Sequence, residues 1–89
     1  VRRDFAFLAP ESLAAGDLVR AIRSADKVAI VDARLFDRFA GTGVPEGQVS
    51  LAVEVELQPV DNSFTDAELR AIANKVVASA AKVGAVLRG

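Results

Sequence analysis

Three residues around a short glycine-bearing loop have the chemistry to read a nucleobase: Asp37 and Phe39 before it, and Ser50 after it. A carboxylate accepts from the N1–H and N2–H₂ edge of guanine, a hydroxyl donates or accepts, and an aromatic ring offers a stacking plane. Arg34 and Phe36 share a parity on the apolar run before the loop, and Arg88 is placed to join them on an open face. A cation beside an aromatic on an uncovered sheet is a common way to hold single-stranded bases. Each residue also has a plainer reading. Phe36 could be core, Asp37 a cap, Ser50 an ordinary strand residue and Phe39 part of a satellite cluster. On the residues alone the plainer reading is preferred.

Other constellations carry less. Glu54 and Glu56 fall on one strand face, about 7 Å apart, a spacing at which paired carboxylates can do acid–base work. Nothing else catalytic accompanies them, so they read as solvated acids that discourage edge pairing. Gly41, Gly43 and Gly47 do not form a phosphate cradle. Their spacing departs from the dinucleotide fingerprint, the loop leads into a strand, and no Gly-Lys-Ser/Thr ending follows. A strand-to-strand connection needing positive φ accounts for them, with Pro45 setting a turn. Asp61, Asp66 and Glu68 resemble a calcium loop only in composition, whereas Asp66 and Glu68 suit the first turn of a helix.

The chain lacks cysteine and histidine. That removes disulfides, thiolate chemistry, the usual general base and the commonest metal ligand. No catalytic residue, metal or cofactor is therefore expected in this domain. The net charge is −1, which gives no whole-domain footprint for a polyanion. Its distribution is uneven: residues 1–38 carry seven basic groups, including Arg2, Arg34 and Arg38, and residues 39–66 carry none. A length of 89 residues, with 52% hydrophobic and 26% charged residues, suits one small globular domain over 1–89. No apolar run nears the roughly 18 residues of a membrane span. The absence of methionine and the start at Val1 lead us to expect a domain excised from a larger subunit.

The elements that must position these groups follow from periodicity. Arg3 to Leu8 reads as a strand with Phe5 and Phe7 on one face. A short helix opens at Gly16–Asp17, with Leu18, Val19 and Ile22 as its apolar stripe. Val28 to Phe36 is a second strand, which places Phe39 just beyond its end. Gln48 to Gln58 alternates cleanly, with Leu51, Val53, Val55 and Leu57 on one side, and ends at Pro59 and the polar Asp61-Asn62-Ser63. Thr65 and Glu68 form a capping-box signature for a second helix, which Gly84 ends. Ala85 to Arg88 is expected as a fourth strand, with Leu87 inward. The order βαββαβ predicts an α+β, ferredoxin-like sandwich: a four-stranded antiparallel sheet with both helices on one face. The other face is left open for binding. Strict alternation puts Asp37 and Phe39 opposite Phe36, so a bulge or strand end near Phe36 is needed if Asp37, Phe39 and Ser50 are to converge.

FDRFAGTGVPEGQVSLA resembles the Phe-Asp-x-Tyr-x-Gly-x-Gly-Ile/Val-Pro-Glu-Gly-x-x-Ser-Leu-Ala stretch of the ferredoxin-fold anticodon-binding domains. RRDFAFL, AGDLVRAIRSAD, SFTDAEL and VLR are similar to that family's first strand, first helix, second-helix entry and ending. Such domains close the β subunit of bacterial phenylalanyl-tRNA synthetase. The resemblance implies a cytoplasmic α₂β₂ parent that grips the anticodon of tRNA-Phe, with ATP and magnesium used on the α subunit. It also implies roles in which Asp37 and Ser50 contact the first anticodon base, a guanine, and Phe39 stacks on it. Neither a membrane nor DNA is implied. Phe39 replaces the family's usual Tyr, and Ala40, Gln48 and Val49 stand where Arg or Lys is frequent. The competing expectations are a protein-interaction or small-ligand regulatory module on the same fold and, behind it, an acylphosphatase-like hydrolase.

Overall fold

The computed structural model describes residues 1–59 and 63–88. The expected order is observed: β1 (Arg2–Pro10), α1 (Ala15–Arg23), β2 (Ile30–Phe39), β3 (Gln48–Leu57), α2 (Asp66–Lys82) and β4 (Val86–Leu87). The strands form one sheet in the order β2-β3-β1-β4, with every neighbouring pair antiparallel. The architecture is the ferredoxin-like α+β arrangement. Asp61 and Asn62, expected to end the third strand, lie outside the described residues.

One face of the sheet is a continuous apolar surface because alternate residues on three strands point the same way. Phe7 and Ala9 from β1, Ala33 from β2, and Val49, Leu51, Val53, Val55 and Leu57 from β3 are buried there with Leu18, Ile22, Ile72, Val76 and Ala80 from the helices. The capping box of α2 is complete. The Glu68 amide donates to the Thr65 hydroxyl at 3.1 Å, and the Thr65 amide donates to the Glu68 carboxylate at 3.0 Å. At its other end Gly84 takes φ +98°. Its amide donates to the Ala81 carbonyl and that of Ala85 to the Ala80 carbonyl, which is the paired closure of a Schellman turn. Among the described residues no helix is long and apolar enough to cross a membrane.

Two positions differ from the sequence reading. Leu87, expected inward, is 40% exposed, and Ala85 takes the buried place instead. A two-residue edge strand leaving a tight turn has no length over which alternation can be enforced. The second strand runs three residues beyond Phe36, so Phe39 is its last residue rather than a loop residue.

Asp26 secures the passage from α1 to β2. Its Oδ1 accepts from the amides of Val28 (3.1 Å) and Ala29 (3.0 Å), and its Oδ2 from Lys75 Nζ on α2 (3.2 Å). The Ala29 amide is the main cause holding its carboxyl below the ordinary value of 3.8, with Lys75 and the Val28 amide adding to it and burial opposing. A depressed folded-state pKa contributes stability that is present above the unfolded value and is lost as pH falls through the folded one. Asp26→Ala is expected to cost about 1–2 kcal/mol at neutral pH, with a smaller difference from the wild type below about pH 4. Thermal melts at pH 7 and pH 2.5 check this; an equal difference at both would contradict it.

Candidate nucleic-acid interface

The helices leave the second sheet face bare, and the candidate residues are distributed across it in rows set by strand register. Phe39 on β2 stands directly opposite Ser50 on β3, which stands opposite Leu8 on β1. Asp37 stands opposite Ala52, which stands opposite Ala6. Directly opposed residues have Cβ atoms about 4.5–5.5 Å apart, and diagonal ones about 7–8 Å. Asp37, Phe39 and Ser50 therefore occupy a patch the width of one base.

A bulge makes this patch. Leu35 pairs with Val53, but the next pair is Asp37 with Ala52, so Phe36 is an extra residue without a partner. The insertion returns Asp37 and Phe39 to the face that carries Arg34. It also turns Phe36 outward, leaving it 52% exposed. A second register shift, at Val31, gives the same edge strand another break. Such irregularities discourage pairing with a further chain.

The patch has unspent bonding capacity. Ser50 is only 7% exposed, yet among the described residues its hydroxyl has no hydrogen-bond partner. Asp37 has no ion pair or side-chain hydrogen bond among them either. Phe39 is 45% exposed, and its ring lies 4.0 Å from where a Cβ on Gly41 would be. An aromatic ring, a carboxylate and a hydroxyl with no partner among the described residues thus share one sheet face.

The remaining candidates divide. Arg88 donates its amide to the Ala6 carbonyl at 2.7 Å, which places it on the Asp37–Ala52–Ala6 row. Its guanidinium reaches the loop, where a Cβ on Gly43 (φ +88°) would sit 3.6 Å from Nη2. Phe36, Ala6, Ala52, Asp4, Phe5 and Leu87 line a shallow trough of about 380 Å³ beside the patch. Arg34 lies on the same face but is taken: its Nη2 is 3.1 Å from Glu54 Oε1. Glu54 and Glu56, read as solvated acids, are ion-pair acceptors, since Arg2 Nε approaches them at 3.9 and 3.4 Å. Sequence reasoning missed this because the partners are separated by 20 to 54 residues and meet only through register.

A second hollow, about 390 Å³, lies far from this patch between α2 and the start of β2 and is lined by Asp26, Val28, Phe64, Glu68, Ile72 and Lys75. Its charged groups are already occupied, Asp26 by Lys75 and two amides, and Glu68 by the Thr65 amide. It offers a ligand little to bind. Among the described residues no cluster of three or more Asp, Glu, His or Cys is placed to hold a metal ion.

The model of the family described as ferredoxin-fold anticodon binding domain matches residues 1–88. Among curated proteins, the chain is similar to the phenylalanine–tRNA ligase beta subunit of Novosphingobium aromaticivorans, 66% identical over 99% of the chain. The proteins of the same name from Zymomonas mobilis and Brucella abortus are 59% and 48% identical over 99% and 100% of it. In each case the chain spans 11% of the relative's length.

Proposed function

Because the chain belongs to the ferredoxin-fold anticodon-binding family, we propose that it is one domain of a longer phenylalanine–tRNA ligase beta subunit and reads the first anticodon base of tRNA-Phe. The base is a guanine lying on Phe39. Asp37 accepts from its N1–H and N2–H₂, and Ser50 supplies a further hydrogen bond. Phe36 and Arg88 flank the site, where a neighbouring base and its phosphate lie. The domain performs no chemistry. Aminoacylation, with its ATP and magnesium, takes place on the alpha subunit of an α₂β₂ enzyme in the cytoplasm.

The observation that carries this reading is the bulge at Phe36. It places an exposed aromatic directly opposite a hydroxyl that has no partner among the described residues, with a carboxylate likewise unpaired among them on the diagonal. A regular strand would have turned Asp37 and Phe39 to the other side. Ser50→Ala in the assembled parent enzyme tests it. Loss of one hydrogen bond is expected to lower kcat/KM for tRNA-Phe by about 2- to 12-fold (~0.5–1.5 kcal/mol). ATP–pyrophosphate exchange with phenylalanine, which needs no tRNA, is expected to be unchanged. Equal losses in both assays, or none in either, would remove Ser50 from the site.

A further inference from the structure

The open face carries a charge arrangement that base reading does not use. Asp4 on β1 stands directly opposite Glu54 on β3, a like-charge cross-strand pair that is unfavourable by itself. Glu54 lies centrally on the face with its side chain 22% exposed, and two far more exposed guanidiniums converge on it: Arg34 from β2 and Arg2 from β1. Arg2 also reaches Glu56. Both arginines are held against carboxylates on this face.

We infer that Glu54 is a specificity-determining residue, which keeps Arg34 and Arg2 from RNA phosphate so that the face binds through bases rather than through backbone charge. The inference rests on the base-reading assignment of the same face. A phosphodiester approaching the centre of the sheet meets Asp4, Glu54 and Glu56, whereas the neutral edge of a base is not repelled. Phosphate contacts from free arginines are the sequence-independent part of nucleic-acid binding. What matters for discrimination is the ratio of specific to non-specific affinity. Glu54 raises that ratio by lowering the non-specific term. Exposed ion pairs of this kind are weak, so the same carboxylate contributes little to stability and its removal leaves the fold intact.

The test is Glu54→Gln in the assembled parent enzyme, which keeps the side chain's shape and removes its charge. Binding of single-stranded poly(U) RNA is measured across a salt series. Affinity is expected to rise about 3- to 10-fold near 0.1 M salt, and the slope of log affinity against log salt to steepen by about 1. Adding Arg34→Met and Arg2→Met to that variant is expected to reverse the gain. Unchanged poly(U) affinity and slope in a folded variant would overturn the inference, as would a gain that survives loss of both arginines. Phe39→Ala with tRNA-Phe is run alongside. Failure there sinks the base-reading assignment, whereas the poly(U) series reads the charge effect directly.

Discussion

Replacing Phe39 with alanine is expected to raise the KM for tRNA-Phe of the parent ligase by about 5- to 150-fold. That corresponds to the roughly 1–3 kcal/mol of one base stacked on an aromatic ring. Phe39 ends an edge strand and is 45% exposed, so its truncation opens no cavity. Stability should change by no more than about 0.5 kcal/mol. Phe39→Tyr keeps the stacking plane and is expected to keep the wild-type KM. Amino-acid activation measured without tRNA should be the same in all three proteins. An unchanged KM in folded Phe39→Ala would dismiss the stacking role. A large fall in melting temperature would assign the defect to folding instead.

The second large effect is expected at Asp37. As an acceptor-only group it matches two adjacent donors on guanine, whereas Asn presents one acceptor and turns an N–H₂ toward the other donor. Asp37→Asn should therefore raise the KM for tRNA-Phe by about 5- to 150-fold, the value of a bidentate base contact of roughly 1–3 kcal/mol. The sign is informative, because removing a negative charge from this surface would by electrostatics alone favour RNA. A lower KM in Asp37→Asn would mean that the carboxylate repels phosphate and reads no base. Wild-type melting behaviour is expected, since Asp37 makes no ion pair among the described residues.

The sheet was legible wherever one face is buried and the other is not. Val53, Val55 and Leu57 alternate with Glu54 and Glu56, and only one register satisfies that pattern. Thr65 and Glu68 marked their helix because both halves of the capping box are local. The bulge was foreshadowed by a conflict of parity among Phe36, Asp37 and Phe39. Its exact place was not, because the pairing of Leu35 with Val53 and Asp37 with Ala52 depends on the neighbouring strand.

What remained hidden depended on distant partners. Arg34, read as a cation beside an aromatic on the open face, is paired with Glu54 on a strand that follows the glycine loop. Asp26 secures the turn into β2 by bonding Lys75, 49 residues away, a contact no local pattern signals. Leu87 was misplaced because a strand of two residues at the sheet edge carries too little pattern to orient it.

The most direct measurement replaces one atom group on the RNA. Inosine in place of the first anticodon guanine removes the N2 amine and leaves the stacking plane. With the wild-type parent enzyme the KM is expected to rise about 2- to 12-fold (~0.5–1.5 kcal/mol) for the lost hydrogen bond. With Asp37→Ala the same substitution is expected to change nothing further, because that variant has no side-chain acceptor left to lose. Equal penalties for inosine in both enzymes would contradict the assignment of Asp37 to that base.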